Sequence, residues 1–156
     1  MKRGVSPDRL FRERSTFLPG VMVSGFVSKL GKAPIVFVDE GAKINADYYQ
    51  KILRKQLCSI RKMSGRKFTI QQDGARSHTA KSTFCYLDKN VPDYISKDDW
   101  LANSPDLNPL DYSIWGAMDE LVYRSGYEIN NIETLKMAIK EAWENLSQKR
   151  LLISGI

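Results

Sequence analysis

The chain is poor in the residues from which metal centres and disulfide frameworks are usually built. Its 156 residues include one histidine and two cysteines. Cys58 and Cys85 stand 27 positions apart, and with a lone histidine they make a poor zinc set. No apolar run approaches the roughly 20 residues that cross a bilayer, so no membrane association is expected. The opening residues, Met1 to Pro7, lack the apolar stretch of a secretory signal. Without such a signal, both cysteines are read as free thiols in a reducing compartment. Internal repeats and low-complexity segments are also missing. One long stretch has no acid at all. Between Asp47 and Asp73 lie Lys51, Arg54, Lys55, Arg61, Lys62, Arg66 and Lys67 with no aspartate or glutamate.

What is present is ordinary for a globular protein: 42% hydrophobic and 27% charged residues, with length enough for one domain and its core. The formal net charge is +6. The basic stretch and the cations of residues 2–14 suggest a polyanionic partner such as nucleic acid. The plainer reading is a solvated helix face and a basic tail, because net charge by itself reports association and solubility.

Periodicity predicts the elements. Residues 1–19 show no clean period and read as an arm or loop. Residues 21–27 and 34–38 read as two strands of a β-hairpin with its turn at 28–32. Asn45 is a candidate cap for a helix over about 45–60, with Tyr49, Ile52, Leu53 and Leu57 on one face. Residues 68–72 read as a short strand ending at the turn signal Asp73-Gly74. A short helix over 79–88 and a short strand over 93–95 follow. Residues 103–109 are rich in turn formers. Asn108 can cap a helix that begins at Pro109 and carries Leu110, Ile114, Ala117, Met118 and Leu121 on its apolar side. A last helix is expected to start near Asn130, with Glu133 placed for a capping box. The order is that of an α/β domain.

Two acids are placed to do chemistry. Asp73 ends a strand, and ligands of open α/β sheets collect at the carboxyl ends of strands. Asp111 sits in the first turn of a helix. Carboxylates brought together repel unless a cation joins them, and Mg²⁺ takes one or two carboxylates with water and phosphate oxygens. Each has a plain alternative: Asp73 before Gly74 can close an Asx turn, and Asp111 can act as the acid of a helix cap started by Asn108. Asp39-Glu40 also follows a strand, but adjacent acids before a glycine read as a solvated turn.

The strings around the two aspartates carry more. Gln71-Gln72-Asp73-Gly74-Ala75-Arg76-Ser77-His78-Thr79-Ala80 and Trp100-Leu101-Ala102-Asn103-Ser104-Pro105-Asp106-Leu107-Asn108-Pro109-Leu110-Asp111-Tyr112-Ser113-Ile114-Trp115 closely resemble the second and third catalytic blocks of mariner-superfamily (DDE/DDD-type) transposases. They come in the family's order, with 37 residues between Asp73 and Asp111. Residues 21–38 resemble the hairpin that precedes these blocks, and the resemblance spans roughly 18–150. It implies a ribonuclease-H-like fold and metal-dependent cleavage and joining of DNA strands. Asp73 and Asp111 would be the second and third catalytic carboxylates, holding Mg²⁺ or Mn²⁺. Aspartate at the last position resembles the subgroup with three aspartates. Asp106 would hold the loop before the catalytic helix. His78 would touch a phosphate, orient the site or simply pack. Arg76, His78 and Lys81, with Lys62, Arg66 and Lys67, are the candidate nucleic-acid contacts.

The family's first catalytic aspartate, on a strand before the hairpin, has no match in residues 1–20, and Leu101 stands where the family usually has proline. The expectation is therefore a truncated domain over 20–156 lacking its first strand, preceded by a basic arm or the end of an insertion loop over 1–19. Such a chain would be a fragment or relic of a mariner-like transposase, inactive alone and acting on DNA in the nucleus. The alternatives are a host-adopted, non-catalytic nucleic-acid-binding module and a partner in a homodimer or with a full-length transposase.

Overall fold

A computed structural model describes residues 20–96, 99 and 108–147. The expected hairpin is present but interrupted. Its outer part pairs β1 (Val23–Ser24) with β4 (Val36–Phe37), and its inner part pairs β2 (Val27–Ser28) with β3 (Gly31–Lys32), both antiparallel. Lys29 and Leu30 make the two-residue loop. Between Ser24↔Val36 and Val27↔Lys32, residues 25–26 face residues 33–35, so the return strand carries one extra residue. Pro34 lies in that bulge and has no N–H to give to a ladder.

Helix α1 (Ala46–Ser64) repairs the interruption. Its Gln56 is 1% exposed, an unusual burial for a polar side chain. The Gln56 amide donates to the Ser24 carbonyl at 3.0 Å and accepts from the Ser24 hydroxyl at 3.2 Å. The same amide nitrogen reaches the Pro34 carbonyl at 3.5 Å. Asn45 starts the helix as expected, its side-chain oxygen accepting from the Tyr48 N–H at 2.9 Å. The helix runs four residues past the expected end at 60, because Met63 prolongs the apolar stripe beyond Ile60. It stops at Gly65, whose φ of 66° suits glycine and whose N–H caps the Arg61 carbonyl.

The next unit is a parallel βαβ. Strand β5 (Thr69–Ile70) lies beside β6 (Asp93–Tyr94), with Thr69↔Asp93 and Ile70↔Tyr94 in register, and α2 (Lys81–Asn90) connects them. Expected over 79–88, α2 starts two residues later. The backbone before it forms a separate turn in which the His78 and Thr79 N–H groups both donate to the Ala75 carbonyl. The Thr83 hydroxyl, fully buried, donates to Ser77 O at 2.7 Å and locks that turn onto the helix.

The third unit is helical. A wide π-turn over Leu110–Ile114 runs into α3 (Trp115–Arg124), and α4 (Ile132–Asn145) packs against it. Asn131, not Asn130, caps α4, accepting from the Thr134 N–H at 2.8 Å. Counting from that cap puts Thr134 at the third position. Glu133 therefore makes no capping box and pairs with Lys136 at 3.0 Å. The segments 1–19 and 101–107, with Asp106 and Leu101, lie outside the described residues.

Three apolar clusters join these units. One gathers Ile114, Met118, Ala142, Trp143 and Leu146, with Val27 and Ile35 of the hairpin region against it. The others place α1 on the βαβ unit, through Leu57, Ile60 and Ile70 and through Tyr49, Leu53 and Leu87. Trp143 links α4 to the hairpin. Its indole N–H donates to Ala33 O at 2.9 Å, and its ring lies so close to Gly25 that a Cβ there would sit 2.7 Å away. The result is a mixed α/β fold. No helix among the described residues is long and apolar enough to cross a membrane.

A candidate carboxylate site in the cleft between the hairpin and β5

The hairpin and the βαβ unit do not share a sheet. Among the described residues, no backbone hydrogen bond links 22–28 to 68–72. A cleft of about 260 Å³ lies between them. One wall is Ser24 to Ser28, the opposite wall Phe68 to Asp73, and α1 contributes Tyr49, Ile60, Met63 and Ser64. Asn108, Pro109 and Leu110 also line it.

Asp73 stands at this cleft where β5 has ended, half exposed. Its Oδ1 accepts from the Ala75 N–H at 2.9 Å, which is the Asx turn that the Asp-Gly pair suggested. The same oxygen meets His78 Nδ1 at 2.5 Å. That hydrogen bond, with the Ala75 N–H and the imidazole's charge, holds the Asp73 carboxyl below the usual carboxylate range against the opposing effect of partial burial. Its second oxygen remains for another ligand. His78 is fixed from its other side by Tyr49, whose ring centroid is 3.9 Å away. Burial first, and the nearby Asp73 charge second, push the Tyr49 phenol up from its ordinary value. His78 therefore holds a hydrogen bond to Asp73 on one side and packs on the Tyr49 ring on the other.

Asp111 lies on the exposed side of the π-turn. Its Oδ2 accepts from the Asn108 side-chain amide at 2.8 Å, and the Asp111 N–H donates to the Asn108 carbonyl at 2.9 Å. The Asn108 side-chain oxygen accepts from the Leu110 N–H at 3.3 Å. The cap expected of Asn108 thus exists, and it also holds the Asp111 carboxylate. Asn108 and Asp73 line the same cleft, so two distant blocks of sequence meet there. Asp39 does not join them: its carboxylate accepts from the Tyr48 hydroxyl at 2.8 Å in a turn.

The basic candidates fall elsewhere. Arg76 and Lys81 are exposed on the turn after Asp73 and at the start of α2. Lys62 is on the outer face of α1, and Arg66 and Lys67 follow its end. None of the five lines the cleft. Sequence reasoning missed two participants. Tyr49 was counted only as core, since it falls on the apolar stripe. Gln72 lines the cleft with a buried amide nitrogen that has no hydrogen-bond partner. Nothing in sequence separates such a glutamine from a solvated one.

As a metal site, this set is partial. Among the described residues there is no group of three or more histidine, cysteine, aspartate or glutamate side chains able to hold an ion. Asp73 and Asp111 each keep one carboxylate oxygen outside the hydrogen bonds just described, and carboxylate oxygens are hard donors of the kind that Mg²⁺ and Mn²⁺ take.

The fold is an α/β domain with one acid, Asp73, at a cleft between strands, and comparison with known proteins narrows its class. No family model matches the chain. The Transposable element Tc3 transposase of Caenorhabditis elegans is 34% identical over 132 residues, which cover 84% of this chain and 38% of the relative. The chain thus spans little more than a third of that relative's length. Among solved structures, the catalytic domain of Mos1 mariner transposase superposes with a TM-score of 0.70 at 21% identity, covering 88% of this chain and 70% of that one. A Mos1 catalytic domain with raltegravir and Mn gives 0.71 at 20% identity, covering 86% and 68%. A Mos1 paired-end complex with Mn gives 0.74 at 21%, covering 99% and 46%. The chain is a homologue of the Tc1/mariner transposase catalytic domain, and it has the mixed α/β fold of the ribonuclease-H-like Mos1 domain.

Proposed function

We propose that residues 20–147 are the part of a mariner-type catalytic domain that supplies two of its metal-binding carboxylates, Asp73 and Asp111, for phosphodiester cleavage and joining in DNA. One observation carries this reading: Asp73 lines the same cleft as Asn108, far away in sequence, and the Asn108 side chain holds the Asp111 carboxylate. In that role His78 orients Asp73 and Asn108 orients Asp111. Arg76 and Lys81 position backbone phosphates without reading sequence. Asp73 and Asp111 would hold Mg²⁺ or Mn²⁺, which when bound would supply activation of a water or hydroxyl and stabilisation of the leaving oxygen.

The third carboxylate comes, in this proposal, from a further strand of a partner chain, seated between β2 and β5. Three features support that seat. Among the described residues, β2 and β5, one in each wall, are not paired with each other in a sheet. Its apolar lining includes Phe26, Val27, Ile60, Met63, Phe68 and Ile70. The unpartnered Gln72 amide would gain an acceptor from an inserted backbone. On this reading the described carboxylates alone are inactive and act with a full-length transposase or another copy, in the nucleus where the DNA lies.

The test is Mn²⁺ binding followed by electron paramagnetic resonance, with a strand-transfer assay on transposon-end DNA. Weak Mn²⁺ binding that falls at least tenfold in both Asp73→Asn and Asp111→Asn, without strand transfer, is expected. Equal binding by both variants would remove the site, and robust strand transfer by the chain alone would refute its inactivity.

A further inference from the structure

The outward face of α1 carries positive charge that no ion pair among the described residues balances. The helix buries Tyr49, Ile52, Leu53, Gln56, Leu57 and Ile60. On the opposite side Lys51, Arg54, Lys55, Arg61 and Lys62 are all exposed, with the exposed thiol of Cys58 among them. These positions recur at three and four residues, so they form one stripe. From Lys51 to Lys62 it is about 17 Å long at the α-helical rise, the length over which one strand of a duplex presents about five phosphates.

A merely solvated face would look different. Where α3 and α4 meet water, they interleave signs, as in Glu120–Arg124 and Glu133–Lys136. On α1 the only carboxylate is Asp47, one turn before Lys51, and none of the ion pairs among the described residues involves the stripe. Lys51 stands three and four positions from Arg54 and Lys55, spacings at which like charges destabilise a helix. Arg61 alone has an internal bond, to the Asn90 carbonyl at 2.6 Å. The stripe also has no exposed aromatic or large aliphatic side chain, so it lacks the apolar centre that a protein partner would bury.

We infer that this face of α1 is a second nucleic-acid surface, one that grips the phosphodiester backbone without sequence preference. It lies on the side of α1 away from the cleft, since Tyr49 and Ile60, on the buried side, line that cleft. DNA held on the stripe is therefore a different tract from any strand at Asp73. The inference does not depend on the carboxylate reading, because phosphate contact by lysine and arginine needs no metal.

The experiment uses the full chain, a random-sequence 30-base-pair duplex and EDTA, with binding read by fluorescence anisotropy over a salt series. Replacing Lys51, Arg54, Lys55 and Lys62 by glutamine, a residue of similar helix propensity, should reduce the slope of log K against log salt by about 3–4 and weaken binding at least tenfold. A control with the same charge change elsewhere, Lys89→Gln, Arg124→Gln, Lys136→Gln and Lys140→Gln, should lose much less. The duplex should also slow alkylation of Cys58 by N-ethylmaleimide while leaving Cys85, exposed on α2, unchanged. An unaltered slope, or an unprotected Cys58, overturns the inference. So does equal protection by polyglutamate at the same salt, which would mark a surface for acidic proteins. Failure here leaves Mn²⁺ binding at Asp73 and Asp111 untouched, and failure there leaves this result standing.

Discussion

Replacing Gln56 by leucine tests how the cleft wall is held. The substitution keeps side-chain size but removes the amide that bridges the broken hairpin. The Ser24 carbonyl then loses its donor at 3.0 Å and the Ser24 hydroxyl its acceptor at 3.2 Å, at a site where Gln56 is 1% exposed. Each part-buried hydrogen bond of this kind is worth about 0.5–1.5 kcal/mol net, and the added apolar burial of leucine offsets part of the loss. A net loss of about 1–2 kcal/mol is expected, equivalent to a melting temperature lower by roughly 3–8 °C for a domain of this size. The assay is urea unfolding with a thermal melt, together with hydrogen exchange at the hairpin amides. Exchange should quicken at Val27, Lys32 and Ala33 more than in α3. The double variant with Ser24→Ala should be less than additive, because both changes break the same pair. A Gln56→Leu protein within 0.5 kcal/mol of the parent, with unchanged hairpin exchange, would refute the idea that this amide stands in for the missing ladder.

Other outcomes follow from single contacts. Gly25→Ala should cost about 1–3 kcal/mol by overpacking, since its Cβ would meet the Trp143 ring at 2.7 Å; near-ultraviolet circular dichroism of the tryptophans should change with it. Asn131→Ala should destabilise by about 0.5–2 kcal/mol through loss of the α4 cap, whereas Glu133→Ala should stay within about 0.5 kcal/mol because no capping box exists. Asp73 is depressed in the folded state, so its contribution is present above the unfolded aspartate pKa and is lost as pH falls through the lower folded value. Asp73→Asn should therefore flatten the acid limb of stability against pH, measured by urea unfolding from pH 7 down to pH 3; an unchanged limb would show that the His78 contact does not govern Asp73.

Local chemistry made several features readable from the chain. Asn45 starts α1 as read, because a side-chain acceptor is what a helix N-terminus requires. Asp73-Gly74 reads as an Asx turn and is one. The apolar stripe of α1 shows its buried face and, by exclusion, its basic face. The two motif blocks resemble the mariner superfamily, and the similarity to a Tc3 transposase bears that resemblance out. Boundaries were less legible. The later start of α2 and the cap at Asn131 depend on competing local hydrogen bonds, at Ala75 and Thr134, that differ by only one or two positions.

The sequence by itself determined which residues sit in turns, caps and apolar stripes, since these depend on neighbours within a few positions, and its two motif blocks marked the ancestry. Only the tertiary structure decided what those residues meet. The bridge from Gln56 to Ser24, the contact of Trp143 with Gly25, the stacking of Tyr49 on His78 and the unpartnered amide of Gln72 each involve distant segments or burial in a shared cleft. Periodicity reports how far each side chain faces inward. Which partner waits there is set by how the hairpin, the βαβ unit and the helical pair pack together, and packing depends on shape across the whole domain.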